Sequence, residues 1–193
     1  MDTYKRMIEI IEKIIDVKIP QEFYSTIRCL FLEKQLSKSK TLLSAGDSAY
    51  KTYILVSGLM RSYYINDDGN DITQYFIEEG DIFGYTSFTG AIPSDVYIET
   101  LEDCILLEAD GHAFLGALAS NNFALICWIK ILEGELHFKS ERQRGYFLDN
   151  ATERYLDFKK TYPGIEDRVN QKHIASYIGV TPVTLSRLRN SLN

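Results

Sequence analysis

The spacing of apolar residues along the chain changes twice, and each change predicts a different kind of structure. Near the N-terminus, apolar side chains recur every three or four residues over residues 3–16, which predicts an amphipathic helix. Pro20 suits the first position of a short second helix. The apolar positions of the two helices are Met7, Ile10, Ile11, Ile14, Phe23, Ile27 and Leu30.

From about residue 29 to residue 108 the pattern is that of β-structure. Short runs rich in aromatic and β-branched residues are separated by single glycines, and Asp67-Asp68-Gly69-Asn70 predicts a hairpin turn. The strand-like runs are TYILVSG, LMRSYYIN, DITQYFI, VYIET and CILLEA. Many short strands separated by turn residues are typical of a closed antiparallel barrel or roll.

A helical period returns after Ala109, first in a short helix over about 110–120 and then in a long one from about Asn122. The long helix carries two apolar stripes: Phe123, Cys127 and Ile131 form one, and Ile126, Ile129, Leu132 and Leu136 form the other. Two stripes require two surfaces to bury, so we expect one against the barrel and the second against another subunit. Burial of the whole helix within one monomer is the alternative.

The segment QKHIASYIGVTPVTLSRLRN, residues 171–190, predicts a helix–turn–helix. Gly179 lies where a tight turn needs a positive φ, Thr181 is a good N-cap, and Pro182 suits the first position of the second helix. The expected shared core is Ile174, Ile178, Val180, Leu185 and Leu188, and Ala175 is expected to be small because the second helix crosses close above it. Before this motif, Asn150 is expected to cap a helix that runs to Tyr162 and ends at Pro163-Gly164.

The outer side of this motif has the chemistry of a DNA reader. The residues expected to be exposed on the second helix are Val183, Thr184, Ser186, Arg187 and Arg189. Arg187 can fork onto guanine O6 and N7 in the major groove, and Val183 and Thr184 can contact a base edge or a thymine methyl. Lys172 and Arg189 are expected to contact phosphates. The predicted DNA-binding residues are Lys172, Thr181, Pro182, Val183, Thr184, Ser186, Arg187 and Arg189. A helical hairpin used only for packing is the alternative.

The charged residues are unevenly distributed between the two ends of the chain. The 193 residues carry a net charge of −6, yet the segment from Asn150 onward holds seven basic and four acidic residues. An acidic body with a basic end is often found where one end of a protein meets nucleic acid. The composition is ordinary for a globular protein. Because the sequence shows neither a long apolar run nor a signal-like N-terminus, we expect a cytoplasmic protein with no membrane partner.

These motifs resemble those of the Crp/Fnr family of bacterial transcription regulators, and the similarity is most specific over residues 151–190. Within the roll, Gly46-Asp47, the strand ending at Gly58 and Gly80-Asp81-x-x-Gly84 match the family pattern. The resemblance implies a cyclic-nucleotide-binding-like antiparallel β-roll (a double-stranded β-helix), a long dimerisation helix and an all-α C-terminal helix–turn–helix domain, an α+β fold overall. We expect residues 1–121, 122–149 and 150–193 to form these three parts.

Two departures from the family pattern change what the resemblance implies. Members that bind cyclic AMP use Gly-Glu and a later Arg-Ser, whereas here Tyr85 follows Gly84 and Ser94-Asp95 lie near the Arg-Ser positions. Residues 78–100 contain five acids and no Lys or Arg, a poor cradle for a phosphate, so cyclic AMP is not expected to bind tightly. The expected effector pocket, its ligand unknown, is Gly84, Tyr85, Thr86, Ser87, Ser94 and Asp95.

The second departure is Val183, where the family often has a glutamate that accepts a hydrogen bond from cytosine N4. The family's β-hairpin wing is also expected to be missing, since the chain ends soon after the recognition helix. The chain is therefore predicted to be a homodimeric DNA-binding regulator of inverted-repeat operators, with RNA polymerase as a further candidate partner. The alternative is a small-molecule-binding roll whose C-terminal helices dock a protein.

Enzymatic and metal-dependent functions find little support in the sequence. GxSxG and HExxH motifs are absent, the three cysteines have no metal-ligand spacing, and all three histidines lie in predicted helices rather than on strands. We therefore expect neither an enzyme nor a metal site or resident cofactor. Haem ligation by His112 or His137 with Cys127 stays open, although packed or surface histidines are the simpler interpretation.

Overall fold

The computed structural model describes residues 2–84 and 91–192, within which seven α-helices and eight strands follow one another along the chain. The helices are α1 (Thr3–Ile15), α2 (Phe23–Leu30), α3 (Gly111–Ala119), α4 (Asn122–Leu148), α5 (Ala151–Thr161), α6 (Gln171–Ile178) and α7 (Pro182–Leu192). A 3₁₀ turn, Ile165–Asp167, lies between α5 and α6. The strands are β1 (Leu32–Leu36), β2 (Thr41–Leu43), β3 (Lys51–Ser57), β4 (Met60–Ile65), β5 (Asp71–Ile77), β6 (Ile82–Phe83), β7 (Tyr97–Thr100) and β8 (Cys104–Asp110).

The strands form two four-stranded sheets, in the orders β1-β8-β3-β6 and β2-β7-β4-β5. The pairings between β1 and β8, between β3 and β8, and between β2 and β7 are antiparallel. Leu55, Leu106 and Leu107 are fully buried. Because Leu106 and Leu107 are neighbours on β8 and point to opposite faces, the sheet that contains β3 and β8 is covered on both faces at this point. The predicted α+β fold with an antiparallel roll is confirmed.

The described chain separates into two compact units that cut across the predicted boundaries. One consists of Met1–Arg61 with Ile77–Glu133, and the other of Ser62–Phe76 with Gly134–Asn193. The predicted division at residues 121 and 149 stays a prediction. The second unit combines most of the β4–β5 hairpin with the C-terminal helices.

The first unit packs helices α1, α3 and the start of α4 against the sheet that contains β3 and β8. Met7 and Ile8 of α1 join Ile54, Leu107 and Trp128 in one buried cluster. Of the two predicted stripes on α4, the one around Cys127 and Ile131 faces this core, since Trp128 is 6% exposed and Ile131 packs against the cluster. The other stripe is on the surface.

An aromatic cluster forms the centre of the second unit. The ring of Phe76, at the end of β5, lies 5.4 Å from that of Tyr162, 5.7 Å from that of Tyr177 and 6.0 Å from that of Phe158. All four side chains are buried. Aromatic rings at these separations contribute beyond the area they bury, so this cluster fixes the β5 strand onto α5 and α6.

Local sequence signals agree with most element boundaries. Asn150 caps α5 in a complete capping box with Glu153, Gly179 ends α6 at φ +71°, and Gly69 occupies the β4–β5 turn at φ +79°. One expectation was wrong: Pro20 does not open the second helix, because a turn at residues 21–22 intervenes and α2 begins at Phe23. Among the described residues no single helix is long and apolar enough to cross a membrane, although α3 and α4, a bent pair, meet that test together by length and composition.

Candidate nucleic-acid interface

Helices α6 and α7 form the predicted helix–turn–helix, with α7 two residues longer than expected. The Asn170 side chain accepts from the amide of Lys172 at the start of α6, and the turn is closed by a bond from Val180 N to Ala175 O of 2.9 Å. Thr181 Oγ1 accepts from Thr184 N at 3.2 Å, the N-cap bond expected for α7. Each of these bonds satisfies a backbone group that a helix end would leave unpaired.

The shared core of the two helices is as predicted at its centre. Ile174, Ala175 and Leu185 are completely buried, and Ile178 is 1% exposed. The complete burial of Ala175 agrees with the small residue expected where the second helix crosses. Val180 and Leu188 are only half-buried, so they lie at the edge of this core rather than within it.

One face of α7 is open to solvent. Val183, Ser186 and Arg187 are exposed, together with Asn190, one helical turn beyond Ser186. Among the described residues, Arg187 has no hydrogen-bond or ion-pair partner. The prediction from sequence did not include Asn190, although its spacing of three residues from Arg187 could have indicated it. We call Val183, Ser186, Arg187 and Asn190 the outer face of α7.

Two residues predicted to be exposed on α7 are only half-buried or engaged elsewhere. Thr184 is half-buried, and its hydroxyl lies 3.0 Å from that of Thr181. Arg189 is also half-buried, and its Nε lies 3.4 Å from Glu166 Oε1. Tyr155 donates to the same carboxylate oxygen at 2.7 Å, so Glu166 joins α7 to α5. Since Arg189 is half-buried and lies against Glu166, the expectation that it is exposed was wrong.

The remaining predicted DNA-binding residues lie at the start of the two helices. Thr181 and Pro182 are exposed at the N-terminus of α7. Lys172 is exposed on α6, and its Nζ lies 3.7 Å from Asp71 Oδ2 of β5. At this distance and exposure the pair is weak, so a phosphate could replace Asp71 as the partner of Lys172.

The C-terminal end of α6 is held by side chains that the sequence did not single out. The Arg142 guanidinium lies 3.6 Å from the centre of the Tyr177 ring, and Tyr146 Oη donates to the carbonyl of Tyr177 at 2.5 Å. Arg154 donates to the carbonyls of Ile178 at 2.8 Å and of Asp149 at 2.6 Å. Cationic and hydroxyl donors thus satisfy the last carbonyls of α6 and tie it to the ends of α4 and α5.

The predicted effector pocket lies only partly in the described chain. Tyr85, Thr86 and Ser87 lie outside the described residues. Gly84 adopts φ +85° against the Tyr53 ring, which leaves no room for a side chain there, and Asp95 is exposed. Ser94 is buried, and its hydroxyl donates to Val96 O at 2.8 Å. Gly84 and Ser94 therefore have structural roles that the sequence did not reveal.

A buried cation that the sequence did not single out lies in the roll, on the strand predicted from the run LMRSYYIN. Arg61 of β4 is 3% exposed, and its Nε donates to Glu99 Oε1 of β7 at 2.6 Å. The carboxylate compensates the guanidinium, so this arginine is already paired within the protein. Its presence does not give the 78–100 segment a free cation for a phosphate.

The described part of the chain contains no group of three or more His, Cys, Asp or Glu residues that could hold a metal ion. His112 and His137 are exposed on α3 and α4, whereas Cys127 is half-buried. Burial raises the pKa of the Cys127 thiol, which makes it a poor thiolate ligand.

Comparison with known proteins agrees with this arrangement. Residues 33–121 match the family described as "Cyclic nucleotide-binding domain". The chain is 26% identical over 170 residues to the anaerobic regulatory protein of Haemophilus influenzae and 27% identical over 169 residues to the fumarate and nitrate reduction regulatory protein of Vibrio cholerae. The chain is thus similar to regulators of the Crp/Fnr family. Each alignment covers 81% of this chain, which spans 65% and 66% of the length of these two relatives.

Solved structures of Crp/Fnr regulators share the fold. FixK2 from Bradyrhizobium japonicum superposes with a TM-score of 0.72 at 21% identity, covering 84% of each chain. A CooA mutant from Carboxydothermus hydrogenoformans gives a TM-score of 0.69 at 21% identity, covering 89% of this chain and 80% of its own. The roll and the C-terminal helical region of this chain therefore share the fold of these solved structures. The relatives matched in sequence are named as regulatory proteins.

Proposed function

We propose that this Crp/Fnr-type protein is a sequence-specific DNA-binding transcription regulator. The observation that carries the proposal is the outer face of α7, the second helix of a correctly capped helix–turn–helix. This face exposes Arg187, which has no partner among the described residues. A recognition helix inserts its N-terminal part into the major groove, where a guanidinium can bind guanine by two hydrogen bonds. The names of the regulatory relatives support the same conclusion.

The protein acts as a homodimer in this proposal, with α4 as the dimerisation helix. The second stripe of α4 is exposed: Ile126 is 57% exposed, Ile129 45% and Leu136 68%, and Leu132 belongs to the same surface. A row of large apolar side chains on a surface of this length is unusual unless a partner covers it. A parallel second copy of α4 would set two recognition helices about 34 Å apart, the spacing of successive major grooves on one side of a duplex.

Selection of bound sequences from random DNA duplexes tests this function most directly. The expected result is enrichment of an inverted repeat whose half-sites are separated by about one helical turn. Enrichment of a single half-site would contradict the dimer while leaving DNA binding intact. No enriched sequence at all would contradict sequence-specific recognition.

Salt dependence separates DNA binding from the docking of a protein partner by α6 and α7. Phosphate contacts release condensed counterions, so the logarithm of the DNA affinity should fall linearly with the logarithm of the salt concentration. A slope close to zero, with affinity for DNA unchanged between low and high salt, would favour the protein-docking function. RNA polymerase as a further partner is part of the proposal, and it requires DNA binding to be present first.

Regulation by cyclic AMP is not part of this proposal. The described part of the 78–100 segment offers acidic side chains, and the buried Arg61 beside it is paired with Glu99. A cyclic phosphate needs an accessible cation or several donors to offset its desolvation. Calorimetric titration with cyclic AMP should therefore give a dissociation constant in the millimolar range, whereas a micromolar value would contradict this expectation.

A further inference from the structure

A cavity of about 230 Å³ lies in the first unit, between the N-terminal helices, the β3–β6 edge of the sheet, α3 and the start of α4. Aromatic rings dominate its wall. Those that line it are Phe23, Phe31, Phe114, Phe123 and Trp128. Phe23 stacks on Phe123 with ring centres 5.3 Å apart, and Phe114 meets Trp128 edge to face at 5.1 Å. The rings thus form a preorganised apolar surface on two sides of the cavity.

The polar groups on the wall already have partners or are neutral. Asn121 Oδ1 accepts from Ala124 N at 3.0 Å, and Ser120 Oγ donates to Ala117 O at 3.0 Å. Burial raises the pKa of the Cys127 thiol, which keeps it uncharged. None of the described residues that line the cavity is charged. An ion would lose its hydration here and gain no partner, so the chemistry of the wall favours a neutral, apolar occupant.

Helix α2 gives an independent reason to expect an occupant. None of its eight residues is buried, although Phe23, Ile27 and Leu30 form an apolar face that lines the cavity. An amphipathic helix normally buries such a face against the protein interior, and native cores rarely leave voids larger than a water molecule. Here the space beneath α2 is the cavity itself, so a bound apolar molecule would complete the burial of this helix.

We propose that the cavity is a binding site for a neutral aromatic small molecule of one or two fused rings. An engineered apolar cavity of about 150 Å³ binds benzene, so a volume of about 230 Å³ accommodates a somewhat larger ring system. The five aromatic side chains favour stacking and edge-to-face contacts with such a ligand. Gly84, Ser94 and Asp95 of the predicted effector pocket do not line this cavity, and the proposal is independent of DNA binding.

Trp128 makes the site directly testable, because it is the single tryptophan of the chain and lies on the cavity wall. A brominated aromatic probe quenches tryptophan fluorescence when it is in contact with the indole. We expect 4-bromotoluene to quench the fluorescence of the full-length protein saturably. The charged analogue 4-bromobenzoate, of nearly the same shape, should not quench saturably, because none of the described residues on the cavity wall is cationic.

A matched pair of variants on α3 places the binding in this cavity. Ala117 lines the cavity and Ala113 is exposed on the same helix. Ala117→Phe fills part of the space and should weaken 4-bromotoluene binding by about tenfold or more, whereas Ala113→Phe should leave it unchanged. Circular dichroism checks that both variants fold. If Ala117→Phe fails to fold, the contrast between the neutral and the charged probe decides alone.

Three results would overturn the proposal. The first is the absence of saturable quenching by 4-bromotoluene up to its solubility limit. The second is equal quenching by 4-bromobenzoate, or by a folded Ala117→Phe protein, which would place the contact outside an apolar cavity. The third is tighter binding of the neutral alkyl probe 6-bromohexan-1-ol than of 4-bromotoluene, which would contradict the preference for an aromatic ring.

Discussion

Ser176 of α6 and Thr73 of β5 are joined by two hydrogen bonds although 103 residues separate them. Ser176 Oγ donates to Thr73 Oγ1 at 2.9 Å, and Thr73 N donates to Ser176 Oγ at 3.1 Å. The neighbouring pair Asp71 and Lys172, with 3.7 Å between Oδ2 and Nζ, and the buried ring of Phe76 extend the same contact. The first helix of the helix–turn–helix is thus fixed to a β-strand within the second unit.

Substitutions at this pair should measure how much the strand stabilises the helix. Ser176→Ala removes the oxygen that serves both bonds and should lower the free energy of unfolding by about 1–3 kcal/mol. Thr73→Val keeps the shape and the amide bond, so it should cost less, about 1 kcal/mol. Urea unfolding followed by circular dichroism measures both values.

The exposed Ser186 of α7 provides the control for this series. Ser186→Ala should change the free energy of unfolding by no more than about 0.5 kcal/mol, because its hydroxyl lies at the surface. If Ser176→Ala behaved like Ser186→Ala, the contact between β5 and α6 would contribute nothing to stability.

The contact between β5 and α6 shows where sequence reasoning reaches its limit. Local periodicity indicated the β4–β5 hairpin and the α6 helix separately, and turn chemistry located Gly69, Asn150 and Gly179 correctly. A side-chain bond across 103 residues leaves no periodic signal, because each partner is an ordinary polar residue in its own element. The division into units that follows from such contacts was unpredictable for the same reason.

The recognition helix shows a second limit, which concerns exposure. Helical spacing correctly left Val183, Ser186 and Arg187 on the outer face. It could not show that Glu166, from the turn before α6, pairs with Arg189 and draws that side chain towards α5. Whether a basic residue is free depends on an acid brought from elsewhere in the chain, and charge counting along the sequence does not contain that information.

Arg187 should carry base recognition. Arg187→Ala should weaken binding to the selected DNA by about 1–3 kcal/mol and relax the preference at one base position, because a bidentate contact to guanine is lost. Fluorescence anisotropy with the selected duplex and with single-base variants measures both effects.

Lys160 offers the matched control for charge. It is exposed on α5, outside the helix–turn–helix, so Lys160→Ala removes the same charge without removing a predicted contact. Its effect on affinity should be small and the same for every duplex. Identical behaviour of the two variants would mean that Arg187 acts only through net charge.

Tyr155 should make the protein less stable at high pH. Burial, together with the hydrogen bond to Glu166, raises the pKa of Tyr155 to about 12. The unfolded chain releases this proton near pH 10 and the folded protein holds it longer, so the stabilisation is complete below about pH 10 and is lost as the pH rises towards about 12.

Tyr155→Phe isolates this contribution from that of other tyrosines. The difference in the free energy of unfolding between wild type and variant should be constant up to about pH 10. It should then decrease by about 1–2 kcal/mol between pH 10 and pH 12. Urea unfolding over this pH series measures it, and a pH-independent difference would show that the Tyr155 proton is released equally in both states.

Leu136 should decide whether α4 pairs with a second copy. It is 68% exposed at the C-terminal end of the apolar stripe, so in a monomer Leu136→Glu meets only water and should be harmless to folding. At a helix–helix interface the same substitution buries two carboxylates without partners, and the dimer should dissociate at micromolar concentration. Sedimentation velocity compares the two proteins, with His137→Glu, exposed on the adjacent position but off the stripe, as the control. A dimer that survives Leu136→Glu unchanged would place the interface elsewhere. If DNA affinity is lost together with the dimer, the two recognition helices bind DNA as one unit.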